Sequence, residues 1–326
     1  ARRGLEGFAV ADPKPLDLPE RPEGLPAAAS AARLARIRAH AATLTGDDAP
    51  PPREGRWRPD LAAAALQRAA RPGPATDLRR MDLRGARMEG ADLFKVRMEG
   101  ANLISARMEG ADLTLARMAG IDLFEAGMAG ATLELARMEG ARLSKARMEG
   151  AVLREAWMEG AHLGIVRMEG SNLSGARLEG AHLSRAHMEG ADLQRAHLEG
   201  ADLVSARLAG ASLSGARMEG ANLSAARMEG ADLFGAQAQS ANAARARFDR
   251  SLAASADFTG ARNLTFAQLA SLFGDAATKL PSELEAQRPR LVADAGWAEE
   301  ELDYEDARDR WCAWRAERDA RERAAE

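Results

Sequence analysis

The stretch at residues 96–113 reads VRMEGANLISARMEGADL, and the block Arg-Met-Glu-Gly occurs in it twice, ten residues apart. Each copy is followed by Ala, an acid or its amide, and Leu. From Thr76 to Gly260 the sequence divides into about 37 consecutive units of five residues, nearly all with a large apolar residue in the middle. The true period is therefore five residues. Two kinds of unit alternate, so the same sequence returns after ten residues.

A period of five fits neither an amphipathic helix, with apolar residues about every 3.6 positions, nor a strand that alternates by two. If the central residue and the small residue two positions before it both point inward, each unit is a short extended segment followed by a turn. Glycine recurs at the turn, as at Gly100 and Gly110, where left-handed backbone angles cause it no steric clash. The pattern predicts a chain that coils around stacked Leu, Met and Ala side chains.

The repeated unit resembles the motif of the pentapeptide-repeat proteins, Ala-(Asp/Asn)-Leu-x-x. Four of its copies are Ala91-Asp92-Leu93, Ala101-Asn102-Leu103, Ala111-Asp112-Leu113 and Ala221-Asn222-Leu223. This resemblance extends over more than half of the chain and implies a right-handed, four-sided β-helix with four units per coil, hence about nine coils. At the spacing of neighbouring strands, about 4.8 Å, the rod would be roughly 40 to 45 Å long.

The expected fold is an all-β repeat domain with helical segments on either side. Residues 1–75 are expected to form a Pro-rich and helical N-terminal extension, with helices at 27–44 and 60–71. Residues 76–260 are the repeats, and 261–326 a helical cap and tail. Near residue 240 the central residues change to Ala and Phe, which preserves core volume in a closing coil.

Two helices are predicted in the tail. Thr265 is the expected N-cap of a short helix that carries Phe266, Leu269, Leu272 and Phe273. A second helix is expected from Glu300 to Glu322. Its apolar face comprises Tyr304, Ala307, Trp311 and Trp314. This face is expected either to dock on its own rod, with Trp157 as one docking point, or to contact a partner or a second copy. The tail also resembles the C-terminal extension of some bacterial pentapeptide-repeat proteins, whose relatives often dimerise there.

Several large apolar residues occupy positions expected to point outward in the N-terminal half of the repeats. They are Phe94, Leu115 and Leu135 on one face, and Ile104 and Phe124 on the opposite face. Water contact with such a patch is unfavourable, so something should cover it. We expect residues 1–44 to fold back over it, and the patch is also the candidate surface for a partner.

Outward charges nearly cancel along the repeats, where about 25 acidic residues face about 23 basic ones, and the whole chain has a formal charge of −4. One face carries two columns of charge at coil spacing, which are expected to form a solvated, ion-paired surface: Arg97, Arg117, Arg137, Arg177 and Arg217, and beside them Glu99, Glu139, Glu159, Glu179 and Glu219. The best-known activity in the family is mimicry of duplex DNA by quinolone-resistance proteins that bind type II topoisomerases. Such mimicry needs a dense negative charge, so this alternative is disfavoured. Nucleic-acid binding is disfavoured as well, because no face is purely basic.

No catalytic arrangement or phosphate-binding loop stands out from the repeat, so no enzymatic activity and no cofactor are predicted. The methionine columns lie at inward positions and are interpreted as core, not as ligands of a soft metal. His162 and His182 lie one coil apart on the same face, but no third ligand is fixed beside them. A metal-binding protein is therefore a remote alternative, and no metal ligands are predicted.

The leading hypothesis is a non-enzymatic scaffold that presents the faces of a rigid rod to a protein partner. The single Cys312 gives no disulfide framework, and no apolar run approaches the length of about 20 residues that a membrane span needs. These features favour a cytoplasmic protein, and the resemblance implies a bacterial one. The resemblance leaves open a membrane domain upstream, if the native chain is longer, and dimerisation through the C-terminal region.

Overall fold

The computed structural model describes residues 77–325, and the repeats in it form a four-sided coil. Parallel backbone bridges pair each contributing residue with the one twenty positions later, such as Asn102 with Asp122 and Arg107 with Gly127. Four five-residue units therefore complete one coil, as predicted. Within residues 77–262 each side contributes a single bridge residue per coil instead of a longer strand.

Backbone hydrogen bonds join every coil to the next. The Leu103 N–H donates to the Asp122 carbonyl (N–O 2.7 Å), and the Asp122 N–H donates to the Ala101 carbonyl (3.0 Å). The Ala106 N–H donates to the Leu103 carbonyl (2.9 Å) and closes the turn between two sides. The same pattern recurs in successive units, so the backbone polar groups find partners although the strands are so short.

The acid or amide that precedes the central leucine has a local structural role. The Asn102 side-chain oxygen accepts a hydrogen bond from the Ile104 N–H (3.1 Å), and the Asp112 carboxylate accepts one from the Thr114 N–H (2.9 Å). Asp and Asn favour such turns because their short side chains reach the backbone two residues ahead. This bond fixes the turn in the units that have Asp or Asn at this position.

The last residue of each unit turns the corner with a left-handed backbone. Gly110, for example, has a φ of 66°, and a Cβ built there would meet nothing within 4 Å. The preference for glycine at this corner is therefore due to the backbone angle and not to crowding.

The core consists of the stacked central residues and the alanines two positions before them. The methionine columns interpreted as core are all buried: Met98, Met108, Met118, Met128, Met138, Met148, Met158 and Met168. Aliphatic stacks of this kind explain how the rod is filled with few aromatic side chains.

At the C-terminal end, the coil closes gradually. Phe248 and Phe258, which replace smaller central residues, are buried with their rings edge to face (centroids 6.3 Å apart). The bridge spacing then grows from 20 residues to 21 for Leu252 with Phe273, and to 22 for Asp257 with Lys279. The regular repeats end near the predicted residue 260, but residues of the tail continue two sides of the coil.

Four helices follow the repeats: α1 (Phe266–Ala270), α2 (Ser282–Glu285), α3 (Arg288–Ala295) and α4 (Tyr304–Ala325). Thr265 caps α1 as predicted, since its side chain accepts from the Gln268 N–H (3.3 Å) while the Gln268 side chain accepts from the Thr265 N–H (2.8 Å). α1 ends at Ala270, before Leu272 and Phe273. α4 begins four residues after the predicted Glu300.

The helices expected at 27–44 and 60–71, and the predicted folding of residues 1–44 over the rod, lie outside the described residues. None of the helices between residues 77 and 325 combines the length and the apolar character that a bilayer crossing needs.

Candidate interaction surfaces

Phe94, Leu115 and Leu135 are exposed on one face of the rod, in successive coils, and we refer to them as the apolar patch. Their exposed fractions are 46%, 37% and 36%. Leu115 and Leu135 occupy the same corner in adjacent coils, with φ values of 59° and 57°. A left-handed backbone is unfavourable for a bulky residue, and exposure of leucine to water is unfavourable as well. Each of the two leucines therefore combines an unfavourable backbone conformation with unfavourable exposure to water.

The opposite face carries a second, smaller apolar group. Ile104 and Phe124 are half-buried, and the Lys145 ammonium lies 5.1 Å from the Phe124 ring centroid. Ile165, at a corner on this side, is 44% exposed with a φ of 59°. The sequence analysis missed Ile165, although its position at the end of a unit, where Leu115 also lies, was a sufficient signal.

α4 docks on its own rod, which is the first of the two arrangements considered for it. Trp311 and Trp314 are buried in a cluster with Leu252 and Phe273. The Trp311 indole N–H donates to the Arg250 carbonyl (2.9 Å), and that of Trp314 donates to the Ala295 carbonyl (2.8 Å). Each indole therefore buries its apolar surface and forms the hydrogen bond of its N–H group within this chain.

Tyr304, at the start of α4, is attached to the rod as well. Its hydroxyl donates to the Asp232 carboxylate (2.9 Å), and its ring lies edge to face with Phe234 (centroids 5.2 Å apart). Burial and this bond to Asp232 raise the pKa of Tyr304.

Trp157 does not receive the tail, so the prediction that it is a docking point for α4 is wrong. Its indole lies between the guanidinium groups of Arg137 and Arg177, at 5.0 and 4.4 Å from the ring. α4 packs instead near Leu252. With a 20-residue register, Trp157 lies several coils away from that end.

Beside Trp157, four glutamates of successive coils are buried, which contradicts the predicted solvated surface on this side. They are Glu139, Glu159, Glu179 and Glu199. Glu159 is only 1% exposed, and the Arg177 Nε lies 2.9 Å from its Oε1. Burial first, and then the Glu179 carboxylate, raise the pKa of Glu159 to about 8, against the opposing effect of Arg177.

The opposite side of the rod carries an alternating column of charges, which we call the Arg–Glu ladder. It comprises Glu89, Arg107, Glu109, Arg147, Glu149, Arg167, Glu169, His187, Glu189, Arg207, Arg227, Glu229 and Arg247. Arginine side chains of the ladder reach back to the glutamate of the preceding coil, as in Arg107–Glu89 and Arg167–Glu149 (both 3.1 Å). These pairs are partly solvated, and each contributes little stability.

The histidines are arranged in two ways. His162 and His182 stack with ring centroids 4.9 Å apart, and burial, His182 and Arg142 lower the pKa of His162. Two other histidines each lie between two glutamates, with ligand atoms within 4.8 Å of one another. These groups are Glu169–His187–Glu189 and Glu179–His197–Glu199. Neither group was predicted from the sequence, although a histidine in place of the usual arginine was a visible signal.

The family model for pentapeptide repeats matches residues 75–100, 101–140, 126–164, 171–207 and 201–237. No curated protein has significant sequence similarity to the chain. Among solved structures, HetL from the cyanobacterium Nostoc sp. strain PCC 7120, a pentapeptide-repeat protein involved in regulation of heterocyst differentiation, is 26% identical; the match covers 62% of this chain and 86% of HetL (TM-score 0.34).

Two further solved structures are similar to parts of the chain. A pentapeptide-repeat protein from the thylakoid lumen of Arabidopsis thaliana is 27% identical, with 39% of this chain and 87% of that protein covered (TM-score 0.32). The plasmid-mediated fluoroquinolone resistance protein QnrB1 is 16% identical, with 68% of this chain and 97% of QnrB1 covered (TM-score 0.31).

Proposed function

Since the chain belongs to the pentapeptide-repeat family, we propose that it is a non-enzymatic scaffold whose rigid rod presents one face to a protein partner. The partner surface in this proposal is the patch of Phe94, Leu115 and Leu135. The observation that carries it is the exposure of two leucines at the same corner of adjacent coils, where other coils have glycine or a polar residue.

The fold itself does not require leucine at this corner. The same corner in other coils is occupied by Lys95, Glu155, Gly175 and Arg195. Glycine or a long polar side chain is therefore compatible with the turn, and either would avoid exposing an apolar side chain. A contact outside the rod gives the two leucines a role, because a partner would bury the apolar area that water now contacts.

The double variant Leu115→Gly/Leu135→Gly tests this proposal. Glycine relieves the left-handed strain, so the melting temperature should stay the same or rise while partner binding is lost. Arg195→Gly, at the same corner outside the patch, is the matched control. Cross-linking of the tagged full chain in its native cells, followed by mass spectrometry, should identify a protein bound to the wild type and the control but not to the double variant.

An identical set of cross-linked proteins in all three samples would contradict the proposal.

The proposal also includes a cytoplasmic location, which rests on the lack of a disulfide framework in the sequence. Dimerisation through Trp311 and Trp314 is not part of it, because both indoles are buried against their own rod.

A further inference from the structure

One rung of the Arg–Glu ladder has a histidine where the neighbouring coils have arginine. His187 lies between Glu169 of the preceding coil and Glu189 of its own coil, and one ligand atom from each lies within 4.8 Å of the others. Imidazole and carboxylate are the ligands that divalent transition metals such as zinc take in proteins. We propose that Glu169, His187 and Glu189 bind a divalent transition metal ion, with Zn²⁺ as the representative case.

The separation of the ligand atoms fits an ion better than a hydrogen bond. His187 Nδ1 lies 3.6 Å from Glu169 Oε1, beyond the range of an N–H···O bond. Two ligands on a tetrahedral zinc ion, each about 2.0 to 2.1 Å from the metal, are roughly 3.4 Å apart. Small side-chain rotations would therefore allow His187 Nδ1 and one oxygen of the Glu169 carboxylate to bind one ion. The side chains of His187 and Glu169 are each 30% exposed, which leaves a path for the ion and for a water ligand.

The charge pattern of the ladder also favours a cation at this rung. Arg167 lies closer to Glu149 (3.1 Å) than to Glu169 (3.5 Å), while Arg207 pairs with Glu189. The negative charge of Glu169 is therefore less fully balanced by arginine than that of Glu189. A divalent ion would balance this charge.

Binding of an ion does not require the arginine pairs to break. The Oε2 atoms of Glu169 and Glu189 are buried and accept no hydrogen bond from any residue in the described part of the chain. Each carboxylate has two oxygens, so one can stay with arginine while the other binds the ion. An ion held in this way would connect two successive coils on one face.

The chain offers two internal comparisons. His197 on the opposite side has Nδ1 at 3.8 Å from Glu179 and 3.9 Å from Glu199, but both of these carboxyl groups are buried, which leaves no comparable path for an ion. The stacked pair His162 and His182 belongs to neither glutamate–histidine group. The proposal concerns His187 alone, and the other histidines serve as controls.

Titration of the full chain with ZnCl₂, followed by isothermal calorimetry, tests the site. All variants carry Cys312→Ser, so that the exposed thiol does not bind metal. His187→Arg should lose one equivalent of bound Zn²⁺ relative to this background, whereas His197→Arg and His162→Ala should not. Because arginine is the residue of the neighbouring rungs, His187→Arg should keep the fold, and its circular dichroism spectrum checks this.

Two further measurements test the metal site independently of calorimetry. Zn²⁺ should raise the melting temperature of the background protein more than that of His187→Arg, and Co²⁺ should give visible absorption that His187→Arg lacks. Glu169→Gln, which keeps the histidine, should also lose the bound equivalent. Zinc binding that is unchanged in His187→Arg, that is lost instead in His197→Arg or His162→Ala, or that is absent from the background protein would overturn the proposal.

Discussion

The Asp275 carboxylate, in the tail, accepts a hydrogen bond from the backbone N–H of Ser255 in the last coil (Oδ1–N 2.8 Å). Asp275 is completely buried, and its Oδ1 also accepts from the Thr278 N–H (2.9 Å) and hydroxyl (2.8 Å). Its Oδ2 accepts from the Leu302 N–H (3.1 Å). One side chain therefore joins the closing coil to two segments of the tail.

We predict that Asp275→Ala lowers the free energy of unfolding of the tail by about 2 to 4 kcal/mol, because it leaves several buried donors without an acceptor. Urea unfolding followed by tryptophan fluorescence measures this loss. Asp294→Ala, which removes only an exposed i,i+4 partner of Arg290 in α3, is the control and should change stability little. Equal stability of the two variants would show that Asp275 does not organise the tail.

The two tryptophans of α4 should hold that helix against the rod. We predict that Trp311→Ala/Trp314→Ala destabilises the docked tail by about 3 to 5 kcal/mol per indole, because each leaves a cavity against Leu252 and Phe273. The far-ultraviolet spectrum of the coils should persist, since the backbone–backbone hydrogen bonds that join the coils do not involve α4.

Limited proteolysis reports this change most directly, because an undocked tail is cut first. Tyr304→Phe is a milder variant that removes only the hydroxyl bonded to Asp232, so it should give slower cleavage than the double variant. Sedimentation should show the same mass for the wild type and the variant, since both indoles are buried within one chain. A change from dimer to monomer would instead support assembly through these residues.

The sequence predicts the coil well because the features that form it lie within a few residues of one another. A five-residue period places Met118 and its equivalents inside, and the acid or amide, as at Asp112, sets the turn two residues ahead. The burial of Glu159 could not be predicted, since it depends on side-chain packing of residues that are one coil or more apart in sequence. The same is true of the ligand group at His187, whose partner Glu169 is 18 residues away.

Because the positive and negative charges of the rod nearly cancel, it should not act on a type II topoisomerase. On the Arg–Glu ladder, carboxylates lie beside guanidinium groups, as in Arg107–Glu89 and Arg247–Glu229 (both 3.1 Å), so no dense negative field like that of DNA results. We predict that the purified chain neither inhibits DNA gyrase nor protects it from quinolones at micromolar concentration, as measured by supercoiling. Inhibition that weakens with added salt would contradict both this prediction and the scaffold proposal.

The buried Glu159 should make stability depend on pH. Its folded pKa of about 8 lies above the value of about 4.3 for an unfolded glutamate, so the folded state retains a proton that the unfolded state releases. The stabilising contribution is complete below about pH 4 and is lost as the pH rises towards 8. Glu159→Gln stays neutral, so we predict that its melting temperature exceeds that of the wild type by a margin that grows between pH 5 and pH 9.

Glu149→Gln is the matched control, because Glu149 occupies the equivalent position on the opposite side with a side chain that is 23% exposed, against 1% for Glu159. Its difference from the wild type should change much less over the same pH range, since solvent stabilises the charge of a more exposed carboxylate. Thermal unfolding at constant ionic strength separates this effect from general screening. Parallel pH profiles for wild type and Glu159→Gln would mean that Glu159 is ionised in the folded rod, and that its pairing with Arg177 outweighs its burial.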